Sequence, residues 1–197
     1  MNDVPSENTI RLILASASPR RRELLAGLER PFDVISPQID ETAWVGEAPA
    51  NFALRMAHEK ALAVLQGQSA SEPVCVIAAD TIVVLEGRIL GKPVDAADAV
   101  ATLHALSGKP HTVITGLCVM RRDGHGLSVK GDAVRTAVSF RVLSEAEIHH
   151  YVASGEPMDK AGSYAIQGGA AGMVDHIDGS YSNVVGLPME TLVRLLG

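Results

Sequence analysis

Residues 74–79 read VCVIAA, a run without a charged side chain, and the next residue is Asp80. A strand that is apolar at every position has no face to offer water, so this run reads as a central strand covered on both sides. The rest of the chain must supply that cover. It does so with helical patterns interspersed among further strand-like runs, which predicts a mixed α/β fold.

RLILA (11–15) reads as a buried strand that runs into a Ser/Pro turn. Ser18 suits a helix N-cap and Pro19 the first helical position, and RELLAGL continues that helix. FDVIS (32–36) alternates like a strand, PQIDETAWVGEAP reads as a loop, and NFALRMAHEKALAVLQ as a helix. The expected apolar side of that helix holds Phe52, Met56, Leu62 and Leu65, with Arg55, Glu59 and Lys60 elsewhere. After the central strand, TIVVLEGRIL predicts a hairpin turning at Glu86 to Arg88, and Asp95 caps a further helix. HTVITGLCVM and AVRTAVSFRV read as strands, the second with Val134, Thr136, Val138 and Phe140 on one face and Arg135, Ser139 and Arg141 on the other. Ser144 and Glu147 have capping-box spacing, and PMETLVRLL closes the chain as a helix. Between them, Gly155 to Gly186 is rich in glycine and poor in periodic apolar residues, as expected of backbone shaped around a site.

With 197 residues the chain fits one domain, or two lobes sharing a core. Aromatics make up only 4%, which argues against base-stacking platforms, and a net charge of -6 disfavours broad contact with a polyanion, so nucleic acid is not the expected partner. Cys75 and Cys118 lack metal-binding spacing and read as buried thiols in a reducing cytoplasm. MNDVPSENTI lacks the pattern of a secretory signal, so residues 1–10 are expected to be a flexible tail and 11–197 the folded domain. The stretch Ala161 to Val174 is too short and glycine-rich to span a bilayer, so no membrane partner is expected.

Against this acidic background, Arg20, Arg21 and Arg22 gather in the first turn of a helix, where cations are disfavoured by roughly 0.3–1 kcal/mol each. Two readings are open: three solvated arginines, or a cradle in which Ser16, Ser18, helical N–H groups and some of the arginines hold phosphate oxygens. Consecutive helical residues diverge by about a quarter turn, so Arg21 or Arg22 can face solvent in either case.

Carboxylates stand in IDET (39–42) and AADT (78–81). Asp80, at the C-terminal end of a buried strand, is placed to bind a metal or activate water, or else to cap a turn. Of the neighbours Asp40 and Glu41, one can be a ligand while the other is solvated. Lys60 and Lys92 are cation candidates that read equally as a solvated helix face and an ordinary Lys-Pro turn. Two carboxylates for a divalent cation, with Arg and Lys around them, form the inventory that neutralises a polyphosphate and directs water at phosphorus. The histidines show no zinc spacing and read as exposed or core-edge. P-loop, GxGxxG and GxSxG patterns are absent.

LASASPRRRELL, IDET, AHEKA, AADTIVVLEGRILGKP, HTVITGL and YVASGEPMDKAGSYAIQGGAAGMVDHIDGSYSNVVGLPMETL follow one another in an order that resembles the Maf-like nucleoside triphosphate pyrophosphatases. The resemblance implies a mixed twisted sheet with flanking helices, related to the inosine triphosphate pyrophosphatases, with two lobes around a cleft. It implies cleavage of a nucleoside triphosphate to monophosphate and pyrophosphate with Mg2+ or Mn2+, by a chain that often pairs as a homodimer. Carried onto this sequence, Ser16, Arg20 and Arg21 belong to the phosphate cradle. Lys60 and Lys92 are phosphate cations, Glu41 lies near the metal, and Asp80 is general base or metal ligand. Thr81 and Gln167 resemble the branch acting on dTTP and UTP, where the branch acting on 7-methyl-GTP has Gln and Glu. A glutamine amide offers the donor and acceptor that match the N3–H and carbonyl edge of uracil or thymine. The rival readings are a nucleotide-binding regulator of cell division and a pyrophosphatase of another modified nucleotide.

Overall fold

In a computed structural model, which describes residues 10–197, the apolar run at 74–79 is the first half of a longer strand, β3 (Val74–Leu85). The expected tail at 1–10 lies, apart from Ile10, outside the described residues. Strand β1 (Arg11–Leu14) pairs parallel with β3 from Arg11↔Val74 to Leu14↔Ile77, and Ala15 N–H donates to the Ile77 carbonyl at 2.8 Å. Asp80 was expected to end the strand, but β3 runs on through it. Its later residues pair antiparallel with β4 (Arg88–Leu90), from Val83↔Leu90 to Leu85↔Arg88. Both residues of the turn, Glu86 (φ 50) and Gly87 (φ 80), take the left-handed conformation that suits a two-residue hairpin. Asp80 therefore follows the parallel ladder and precedes the hairpin.

The remaining elements are α1 (Pro19–Ala26), β2 (Asp33–Val34), α2 (Pro49–Gln66), α3 (Ala96–Leu106), β5 (Pro110–Asp123), β6 (Gly126–Phe140) and α4 (Glu145–Ala153). Three short 3-10 turns, then β7 (Val174–Asp178), α5 (Tyr181–Val185) and α6 (Met189–Leu196), complete the chain. The strands form one seven-stranded mixed sheet in the order β2-β1-β3-β5-β6-β7, with β4 paired to β3 off that path. The FDVIS strand shrinks to two residues, parallel to β1. Strand β7, absent from the sequence reading, pairs antiparallel with β6 through an irregularity at Ser139/Phe140.

The chain divides into two compact units. The first holds the described part of Met1–Asp80, with Gly116–Ala133 and Met189–Gly197. Its core joins Ile13, Val74, Val76 and Ala78 of the sheet to Ala57, Ala61, Val64 and Leu65 of α2. Helix α2 has no side-chain N-cap, worth about 1 kcal/mol. Burial of Phe52, Met56, Val64 and Leu65 outweighs that loss, at roughly 1.5–3 kcal/mol each. At Gly116 the backbones of β5 and α2 touch, and a Cβ there would overlap the Ala53 carbonyl and the Leu54 nitrogen. Gly116→Ala is therefore expected to lower stability by about 2 kcal/mol, seen as a lower urea midpoint at unchanged slope.

The second unit holds Thr81–Thr115 and Val134–Pro188. Asp95 caps α3 by accepting from Asp98 N–H at 2.8 Å, and Ser144 and Glu147 form the expected capping box on α4. The predicted faces of β6 hold: Thr136, Val138 and Phe140 are buried while Arg135 is exposed. His111 departs from the core-edge reading. It is fully buried, lies 2.8 Å from the Tyr164 hydroxyl and packs edge-on against Phe140, and burial pushes it down to about 4. Among the described residues no helix is long and apolar enough to cross a membrane.

Candidate active site

Lys60 is where the first unit gathers its charges. Its ammonium lies 2.6 Å from Asp80 Oδ1 and 2.6 Å from Glu41 Oε1. The lysine and Asp80 side chains are 11% and 13% exposed, against 52% for Glu41. A solvated helix face was one of the two readings open for Lys60, and the structure excludes it. The residues buried on α2 are Phe52, Ala53, Met56, Ala57, Lys60, Ala61, Val64 and Leu65, so Lys60 lies inside the apolar stripe. The signal was in the spacing: Met56, Lys60 and Val64 repeat at four residues. Leu62, expected on that side, is only half-buried.

Asp40 and Glu41 divide their work as adjacent carboxylates can. Asp40 Oδ1 accepts from the Thr42 N–H at 2.9 Å and from its hydroxyl at 2.6 Å, closing a local turn. These bonds hold the Asp40 carboxyl below its usual range and tie it to the loop, while Glu41 reaches the lysine.

Helix α1 brings the arginines and serines. Ser18 Oγ accepts from Arg21 N–H at 3.4 Å as the N-cap, and Ser18 N–H donates to Ser16 Oγ at 3.2 Å. Arg21 also donates a guanidinium N–H to Ser16 Oγ at 3.3 Å. Burial lowers the Arg21 pKa, the nearby Asp80 and Glu41 carboxylates oppose that shift, and Arg20 adds to it. Ser16, Arg20, Arg21, Glu41, Lys60 and Asp80 thus share one neighbourhood. Arg22 is exposed, as one arginine of a consecutive trio was expected to be.

Thr81, Lys92 and Gln167 belong to the second unit. The Thr81 hydroxyl lies 2.9 Å from that of Thr115, which donates to the Asn183 carbonyl at 3.0 Å. Lys92 is exposed. Gln167 is exposed on a turn held from both sides: Ala165 N–H donates to the Tyr151 hydroxyl, and Gly169 N–H donates to Glu156 Oε2, each at 3.0 Å. Tyr151 in turn donates to Glu156 Oε1 at 3.0 Å. A Cβ at Gly168 would overlap the Glu156 carboxylate, so a larger residue there would push that side chain off Tyr151 and Gly169. Tyr151 and Glu156 escaped the sequence reading, since nothing in their spacing marks the segment they hold.

Arg55 was missed as well. It donates to both carboxylate oxygens of Glu47 at 2.7 Å, to Glu59 at 3.1 Å and to the Thr42 carbonyl at 3.0 Å. Its guanidinium lies 4.0 Å from the centroid of the Trp44 ring.

Among the described residues no three His, Cys, Asp or Glu side chains converge as a metal cluster. The two carboxylate oxygens both face the Lys60 ammonium, which fills the position between them. As donors they are of the kind a magnesium-like ion takes, one or two carboxylates with phosphate and water completing its shell.

A seven-stranded mixed sheet with this cluster of two carboxylates, a buried lysine and a serine-arginine helix start describes a phosphate-handling α/β protein. The family profile described as Maf-like protein matches residues 11–197, and the chain belongs to that family. It is 56% identical over 184 residues to the dTTP/UTP pyrophosphatase of Geobacter sulfurreducens, covering 93% of this chain and 94% of that protein. The dTTP/UTP pyrophosphatase of Geobacter metallireducens is 55% identical, with 93% of each chain covered. That of a Shewanella species is 52% identical over 94% of this chain and 96% of its own.

Proposed function

We propose that residues 11–197 act as one pyrophosphatase domain that hydrolyses nucleoside triphosphates, dTTP and UTP foremost, to the monophosphate and pyrophosphate. The observation that carries this reading is the meeting of Glu41 and Asp80 on Lys60 beside Arg21, in a chain whose relatives at about half identity bear the name dTTP/UTP pyrophosphatase.

In this reading Asp80 takes a proton from water as the water oxygen bonds to the α-phosphorus. The bond from that phosphorus to the bridging oxygen breaks, and pyrophosphate leaves with that oxygen. Lys60, Lys92, Arg20 and Arg21 stabilise the charge that shifts onto the leaving oxygens, while Ser16 and Ser18 orient the phosphates. Glu41 and Asp80 would hold Mg2+ or Mn2+, which polarises the phosphate oxygens when bound. Thr81 and Gln167 select the base; the amide of Gln167 matches the alternating donor and acceptor edge of a pyrimidine. The site of action is the cytoplasm, the substrate a free nucleotide rather than nucleic acid or a membrane, and the working form a homodimer.

The test is a substrate panel with Mg2+ or Mn2+: dTTP, UTP, CTP, GTP and 7-methyl-GTP, products resolved by chromatography. Monophosphate and pyrophosphate from dTTP and UTP are expected. Diphosphate with orthophosphate, or no turnover with either metal, would overturn the reading.

A further inference from the structure

We propose that Arg55 is a positioning residue that presents Glu41 to Lys60 by clamping the loop of residues 40–47 onto α2. The inference rests on the role given to Glu41 above and adds a residue to it.

The loop has little apolar anchorage of its own. Trp44 is 64% exposed and Val45 fully so. One guanidinium ties both of its ends, while Glu41 itself meets Lys60. Arg55 binds the far end of the loop through both oxygens of Glu47, whose side chain is only 7% exposed, and the near end through the Thr42 carbonyl. Trp44, between those ends, lies over the guanidinium face, and its own N–H donates to Glu47 Oε2 at 3.1 Å. Thr42 directly follows Glu41, and its N–H and hydroxyl are held by Asp40, which directly precedes Glu41. The residue just after Glu41 is therefore tied to α2 by Arg55, and the residue just before it is turned onto that same Thr42.

Only arginine makes this set of contacts. It grips Glu47 through both Nε and Nη2, reaches the Thr42 carbonyl from Nη2 and Glu59 from Nη1, and still offers a flat face to the indole, where lysine has one ammonium. Arg55 and Lys60 also stand on the same helix, about 7.5 Å apart along its axis. The residue that holds the loop and the residue that Glu41 must reach are thereby kept in register by a single rigid element. The Glu47 carboxyl is held below its usual range by Arg55, in keeping with a pair that stays charged at neutral pH.

Trp44 is the chain's one tryptophan, so its fluorescence reports the loop directly. The experiment uses the full chain as Arg55→Lys, Glu41→Gln and the double variant, with Glu47→Gln as a second way of opening the clamp if Arg55→Lys does not fold. Acrylamide quenching of Trp44 is read without substrate, and steady-state kinetics with UTP and Mn2+. Arg55→Lys is expected to increase quenching and to lower kcat about 10- to 100-fold with KM little changed. Because Arg55 acts through Glu41, the double variant should be no slower than Glu41→Gln alone.

Unchanged quenching would overturn the clamp. A more accessible Trp44 with kcat kept at the parent value, or losses that multiply in the double variant, would overturn its service to Glu41. An inactive parent would instead overturn the function proposed above, and the clamp would then be decided by quenching.

Discussion

Asp80→Asn is expected to lower kcat for UTP by about 1,000-fold while leaving the fold intact. Asparagine has nearly the shape of aspartate, and the neighbouring Ala79 and Ile82 of β3 stay buried, so the strand loses no packing. Lys60 keeps Glu41 as a partner. What disappears is the less exposed of the two carboxylates, at 13% against 52%, and with it the proposed acceptor of the water proton. The measurement is pyrophosphate release with a thermal melt of the same preparation. A kcat near that of the parent protein would remove Asp80 from the chemistry, whatever the melt shows.

The second large effect is on Lys60. Replacing it with Met keeps most of the aliphatic stem inside the α2 stripe and deletes the ammonium between two carboxylates. Breaking a buried pair by removing one partner costs about 3–5 kcal/mol. Glu41 is half exposed and can turn to water, so the penalty falls chiefly on Asp80, and a loss of about 2–3 kcal/mol is expected for Lys60→Met. Turnover should fall at least about 100-fold, because a preorganised cation at the phosphates is gone. The diagnostic result needs no nucleotide: Mn2+ should raise the melting temperature of Lys60→Met more than that of the parent, since the carboxylates have lost their own counter-charge. Equal shifts in the two proteins would mean that Glu41 and Asp80 do not form a shared cation position.

The alternation of apolar runs and helical patterns was enough to place the sheet strands β1, β3, β5 and β6 and the helices around them, because burial on two faces in β1, β3 and β5, and on one face at the end of β6, leaves a strong mark. Strand β7 left none. VDHID is mostly exposed and is held by backbone pairing to β6, so its side chains carry no strand pattern. The length of β3 was hidden for a related reason: a charged residue inside a strand looks like its end, and only the pairing partners on either side show that the strand continues.

At the site, the types of residue were readable and their geometry was not. Which of Asp40 and Glu41 reaches Lys60 is decided by the turn that Asp40 makes to Thr42, a bond to the backbone two residues on that suits the shorter aspartate and leaves Glu41 to reach out. Glu47, Tyr151 and Glu156 belong to no local pattern, and Arg55 only to an i,i+4 pair with Glu59 that says nothing of the loop. They hold segments in place through contacts several residues away, which only the fold brings together.

The two cysteines, read in the sequence as buried thiols, also make the protein a clock for its own opening. Cys75 in β3 and Cys118 in β5 are unbridged and buried, and burial pushes their thiols up to about 11 and about 12. A reagent that attacks thiolates meets, at neutral pH, fewer than about one reactive sulfur in 1,000 molecules of the closed protein. Labelling therefore waits until the sheet opens far enough to rehydrate a strand. Its rate at each cysteine reads how often two inner strands of the sheet breathe, without any label or tag added to the chain.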